Sequence, residues 1–88
     1  MQRCEVTIHN RLGLHARAAA KLVTLCSRYK SRIVLFANGR RADGRQLIAL
    51  LLLSASMGAQ VAIEVSGPDE SVAIVAIERL IGGGFGEG

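Results

Sequence analysis

Apolar and polar residues alternate from Gln2 to His9, with Cys4, Val6 and Ile8 on one side and Arg3, Glu5, Thr7 and His9 on the other. A period of two predicts a strand with one buried face. After a loop over Asn10 to His15 the period changes. Ala19, Leu22, Val23 and Cys26 fall at i, i+3, i+4 and i+7, which predicts an amphipathic helix over Ala16 to Ser27. Arg32 to Ala37 returns to strand character. Asn38-Gly39, two residues that tolerate positive φ, predicts a tight hairpin from there into Arg40 to Asp43.

The run from Gln46 to Ser54 is apolar without a period, so it admits a buried strand or a short helix; its Ala and Leu residues favour the helix. Gly58 closes that segment. Val61, Ile63 and Val65 then alternate with Ala62, Glu64 and Ser66 as a further strand with a polar outer face. Gly67-Pro68-Asp69-Glu70 predicts a helix start, with proline in the first turn and acids at the positive end of the dipole. Ala73, Ala76, Ile77 and Leu80 supply an inward stripe to about Ile81, and Gly82-Gly83-Gly84 stops the helix. The predicted order is β-α-β-β-α-β-α, an α+β arrangement with one four-stranded antiparallel sheet covered on one face by three helices. Its 88 residues suit a single domain over 1–88, with 82–88 as a glycine-rich tail.

Composition narrows the classes. There is no Trp, one Tyr and two Phe, so the core must be aliphatic. The longest apolar run, Leu47 to Leu53, falls well short of the ~18 residues of a membrane span. The N-terminus enters the strand pattern at once, without a signal-like stretch, and a cytoplasmic location is expected. Cys4 and Cys26 both fall on inward positions and are read as free buried thiols, which fits a reducing compartment. No Cys/His spacing suggests a metal site, and no cofactor is expected. Charge is uneven. Residues 1–45 hold ten Lys or Arg against Glu5 and Asp43, and residues 46–88 hold Arg79 against five acids. A basic first half favours an anionic ligand or an acidic partner.

The candidate chemistry lies at the start of the first helix. His15 stands at its junction with a glycine-containing loop, and no Ser, Thr, Asp or Asn between Arg11 and Ala16 is available to cap it. The backbone N–H groups of Ala16 and Arg17 are thereby left for an anion. The Arg17 guanidinium adds a permanent charge where the dipole alone would prefer an acid. Both features favour a neutral imidazole, whose unprotonated nitrogen is a nucleophile. His9, on the polar side of the first strand, reads as a surface residue.

Leu12-Gly13-Leu14-His15-Ala16-Arg17-Ala18-Ala19-Ala20 closely resembles the active-site signature of the HPr family, the histidine phosphocarriers of the phosphoenolpyruvate-dependent phosphotransferase system. Val6-Thr7-Ile8, Asn38-Gly39, Gly67-Pro68-Asp69-Glu70 and Gly84-Phe85 resemble further family features in register along nearly the whole chain. The resemblance implies an open-faced β-sandwich. In it His15 accepts a phosphoryl group on Nδ1 from enzyme I, Arg17 steadies it, and an enzyme IIA protein receives it. The chain is then a monomeric carrier and not a stand-alone enzyme. Ala18 replaces the proline usual in the family, and Ala is well tolerated in a first helical turn. Gln46 stands where many members carry a serine modified by a regulatory kinase, so that switch is expected to be absent. The stretch Gln46 to Leu53 and the Gly84-Phe85-Gly86-Glu87 ending look more like the nitrogen-related branch, NPr, than the sugar branch.

A short helix that is apolar all round cannot bury itself completely in so small a domain. Some of Leu47, Ile48 and Leu51 are therefore expected to stay exposed as a partner surface, the alternative being that all three belong to the core. Two other functions compete. A small basic nucleic-acid-binding module fits the charge, but Tyr29, Phe36 and Phe85 are not clustered as a base-stacking platform. A hydrolase using His15 would need a water-activating group, and the neighbourhood of His15 is expected to contain no carboxylate, second histidine or metal-ligand spacing.

Overall fold

The structure, a computed structural model, describes residues 1–87. Its elements are β1 (Gln2–Thr7), α1 (Ala16–Cys26), β2 (Arg32–Ala37), β3 (Arg40–Asp43), α2 (Leu47–Leu52), β4 (Gln60–Ser66) and α3 (Glu70–Gly82), followed by a 3-10 turn over Gly84–Gly86. The strands lie in the order β1-β4-β2-β3, each neighbouring pair antiparallel. This is the expected α+β open-faced sandwich, with three helices against one sheet face.

Register explains which side is covered. Cys4 pairs with Ile63, Ile63 with Leu35 and Leu35 with Ala42, so one row of apolar side chains crosses the helix-covered face. The adjacent rows point the other way. There Arg3 pairs with Glu64 and meets its carboxylate at 2.7 Å, and Arg41 lies over the Phe36 ring at 5.9 Å. Against the covered face pack Ala18, Ala19, Leu22 and Cys26 of α1, Leu50 of α2, and Ala73, Ile74, Ile77 and Ile81 of α3, all buried. Asn38 and Gly39 take φ of 54° and 75°, the positive values that the hairpin demands. Asn38 does a second job: its amide donates to the carbonyls of Leu53 and Ser54, closing the C-terminal end of α2.

Several boundaries differ from the pattern reading. α3 begins at Glu70 with Asp69 as its N-cap residue, so Pro68 precedes the helix and is not in its first turn. Its buried stripe is rotated: Ile74 and Ile81 go inside with Ala73 and Ile77, while Ala76 and Leu80 are half-buried. The reason is that this helix is apolar on more than one side, and the spacing alone does not choose among stripes. Val23 is half-buried too, and Ala18 takes the inner place beside Ala19.

Both cysteines are free. Cys26 is buried, which pushes its thiol up to about 12, with Arg45 working against that rise and Asp43 adding to it. Cys4 is only half-buried; burial first and then Glu78 raise its thiol as well.

Asp69 does not cap α3 with its side chain. Instead its carboxylate accepts from the N–H groups of Lys30 and Ser31, at 2.9 and 3.0 Å, and from the Ser31 hydroxyl. These bonds tie the turn before β2 to the head of α3. The contact is close enough to require glycine at position 67, where φ is +151° and a Cβ would stand 2.6 Å from Ser31 Cα. The Ser31 hydroxyl, then the Lys30 N–H, hold the Asp69 carboxyl below its ordinary range; burial opposes them, and the Ser31 N–H adds a lesser lowering of its own. A carboxyl lowered in the folded state stabilises it above the ordinary Asp range and ceases to do so as pH falls through the folded value. Asp69→Asn is therefore expected to lower the urea midpoint near neutral pH, with the gap to wild type closing as pH falls from the ordinary Asp range through the lower folded value. A gap constant across that range would show that the ionised form is not what matters.

Candidate functional site

His15 is the N-cap residue of α1, in extended conformation, and no side chain caps the helix. Its carbonyl already accepts the Ala19 N–H at 2.8 Å, whereas the N–H groups of Ala16 and Arg17 have no protein acceptor among the described residues. No acid stands in the first turn. Two unpartnered donors, the positive end of an 11-residue helix and the exposed Arg17 side chain thus stand together, an arrangement able to receive an anion.

The loop that delivers His15 is held by its own backbone and by one buried amide. The Gly13 N–H donates to the Asn10 carbonyl at 3.1 Å, and Leu14 N–H to Ala55 O at 2.8 Å. Gly13 has φ of +63°, and a Cβ there would lie 2.6 Å from Ala55 O. Asn10, only 1% exposed, donates through Nδ2 to Gly13 O at 2.8 Å and to Glu87 Oε1 at 3.1 Å.

That last bond reveals the main correction to the sequence reading. A carboxylate does stand beside His15: Glu87 Oε2 lies 2.7 Å from His15 Nε2. It comes from the glycine-rich tail, which does more than stop α3. Phe85, with φ of 57°, is 1% exposed, and Lys21 Nζ donates to its carbonyl at 2.7 Å. Gly84 and Gly86 on either side take φ of +68° and +74°. The two glycines turn the chain and the aromatic ring anchors it, which sends Glu87 back to the head of α1. Burial acts to raise the Glu87 carboxyl, but the hydrogen bonds from His15 and Asn10 and the charges of His15 and Lys21 outweigh it and leave it lowered. A lone Phe inside a run of glycines was the available signal, since only a docked segment has a use for it.

His15, 25% exposed, opens onto a cleft of about 870 Å³ lined by Arg11, Leu12, Ala16, Arg17 and Glu87. Arg17 also borders a second cleft of about 500 Å³ along α1, with Lys21, Arg28 and Leu80. Of the expected partner surface, Leu47 and Ile48 are exposed, Ile48 by 66%, and Leu51 is half-buried. Leu52 and Leu12 are exposed apolar residues that the pattern did not single out. His9 is exposed. Among the described residues, no three His, Cys, Asp or Glu side chains group as a metal site, and no helix is long and apolar enough to cross a membrane. The aromatic residues do not form an exposed platform: Phe85 is buried, and Phe36 and Tyr29 are half-buried.

Comparison with known proteins decides the family. The family model described as the PTS HPr component phosphorylation site matches residues 2–82. The chain belongs to the HPr family. Phosphocarrier protein HPr of Cupriavidus necator is 42% identical over 88 residues, covering 100% of this chain and 99% of that protein. Phosphocarrier protein NPr of Klebsiella oxytoca is 41% identical over 83 residues, with 93% and 92% covered. A crystal structure of HPr-C-His from Thermoanaerobacter tengcongensis superposes with a TM-score of 0.94 at 33% identity, covering 100% and 99% of the two chains. A structure titled as an HPr dimer from the same organism gives 0.77 at 33% identity, covering 99% and 100%. As a member of the HPr family, the chain is a phosphocarrier of the phosphotransferase system.

The geometry of the presenting loop makes Gly13 its most sensitive position. Gly13→Ala combines positive φ with a backbone clash, and is expected to cost about 2 kcal/mol or more in urea unfolding. Wild-type stability in that variant would mean the loop can re-form without its contact to Ala55.

Proposed function

We propose that His15 is the phosphoryl acceptor of this HPr-family chain, taking the group on Nδ1 from enzyme I and passing it to an enzyme IIA protein. The observation that carries the reading is the state of the imidazole. Nε2 is engaged by Glu87, and Nδ1 has no hydrogen-bond partner among the described residues. The free nitrogen belongs to a ring at the head of α1, beside the unpartnered N–H groups of Ala16 and Arg17 and the Arg17 side chain. A phosphoryl group bonded there gains charge-assisted hydrogen bonds.

In this reading the chain carries phosphate as one domain and as a monomer in the cytoplasm, and does not hydrolyse it. Glu87 is a poor water-activating base for that purpose, because both its oxygens are engaged and the ring places Nε2 and Nδ1 on different edges. Leu47, Ile48 and the half-buried Leu51 offer an apolar docking surface on α2, which packs against α1. The basic cluster of Arg11, Arg17, Lys21 and Arg28 around the two clefts suits acidic partners.

Incubation with phosphoenolpyruvate and enzyme I of each branch, read by intact mass, tests both function and branch. One acid-labile phosphoryl group is expected on wild type and on His9→Ala, and none on His15→Ala; labelling of His15→Ala overturns the assignment. Arg17→Ala is expected to keep the fold and slow transfer by about tenfold to a hundredfold. Leu47→Asp and Ile48→Asp are expected to weaken enzyme I docking while the circular dichroism spectrum stays native. Unfolding of both variants would place the partner surface elsewhere.

A further inference from the structure

The tail beyond α3 performs a task that neither the helix start nor Arg17 explains. Phe85 is buried, Lys21 holds its carbonyl, and the result is a carboxylate set against one nitrogen of His15 at 2.7 Å. A carboxylate accepts hydrogen bonds and cannot donate them while ionised. Facing Nε2, it stabilises the tautomer with the proton there, and that tautomer leaves the lone pair on Nδ1. Asn10 fixes the carboxylate in turn. Its Nδ2 is committed as a donor by the Gly13 carbonyl at 2.8 Å, so Glu87 Oε1 receives a hydrogen from Asn10 while Oε2 faces the ring.

Resting on the reading of His15 as the phosphoryl acceptor, we propose that Glu87 is a positioning residue that holds the proton on Nε2 and thereby presents Nδ1 as the nucleophile, through the relay Asn10–Glu87–His15. The step balances without a proton transfer. The Nδ1 lone pair forms the new bond to phosphorus, the bond from phosphorus to the donor breaks, and its electron pair leaves with the donor. The ring keeps its Nε2 proton and becomes cationic, facing the negative carboxylate. On transfer onward the Nδ1–P bond breaks, the pair returns to Nδ1, and the ring is neutral again with the same proton in place.

The relay makes an unusual demand on an isosteric variant. In Glu87→Gln the carbonyl oxygen is drawn to the Asn10 donor, which leaves the amide nitrogen facing Nε2. An amide N–H donates to an unprotonated nitrogen, so the proton moves to Nδ1 and the nucleophile is lost. Glu87→Ala exerts no such force and leaves a mixture of tautomers. The near-isosteric variant is therefore worse than the truncation. A tail that served packing alone would give the opposite order, because Gln preserves the shape and Ala does not.

The test is ring 15N chemical shifts of His15 in the unphosphorylated chain, above the pH at which the ring titrates, together with the rate of direct phosphorylation by phosphoramidate, which needs no partner protein. Expected are Nε2–H in wild type, a mixture in Glu87→Ala, and a shift towards Nδ1–H in Glu87→Gln. The phosphorylation rate is expected to fall by about tenfold or more in Glu87→Gln, and by less in Glu87→Ala. Wild-type 15N shifts in Glu87→Gln, or a rate order in which Gln exceeds Ala, overturn the relay. Failure of enzyme I to phosphorylate the wild-type chain would instead strike at the carrier reading, and leaves these shifts to be judged separately.

Discussion

One buried amide holds together the two irregular segments on which the site depends. Asn10 joins the loop before α1 to the tail after α3, giving one hydrogen to Gly13 O and the other to Glu87 Oε1. Neither segment has a ladder of its own to fix it, and 77 residues separate the two ends of the second bond. The regular elements supply the frame: β1 brings the chain to Asn10, and α3 packs on β1 and β4 and ends where the tail must turn back. Burial of Phe85 and the Lys21 bond to its carbonyl then order the tail. The position of His15 follows from two close approaches, not from the sheet alone.

Two opposed fields meet at the imidazole. The helix end and Arg17 favour negative charge beside the ring, the condition for holding a phosphoryl group. Glu87 sets a negative charge on the other side of the ring, facing Nε2. The two are separated in space, since the unpartnered donors are the Ala16 and Arg17 N–H groups and Glu87 contacts Nε2. Such a division suits a carrier, which must accept a group and release it through one atom.

Most of the fold was legible because its patterns are clean. Strict alternation in Val61, Ile63 and Val65, the Asn38-Gly39 turn and the i, i+3, i+4, i+7 spacing of α1 each allow one structure, and each element was found where its pattern placed it. Legibility failed where several stripes are apolar, as in α3, where Ile74 and Ile81 went inside in place of Ala76 and Leu80. His15 and Arg17 could be singled out because they are local to one helix end. Glu87 could not, because its link to His15 spans 72 residues and depends on a turn made by glycines on either side of one buried ring. Long-range placement of a polar group leaves no period in a sequence.

The central claim is that a phosphoryl group is carried on Nδ1 of His15 while Nε2 keeps its proton towards Glu87. Its most direct test is the one-bond coupling between 31P and ring 15N in the 15N-labelled chain after phosphorylation by enzyme I. The account predicts phosphorus coupled to Nδ1 of His15, with a proton still attached to Nε2. Coupling to Nε2, or to either nitrogen of His9, would contradict it.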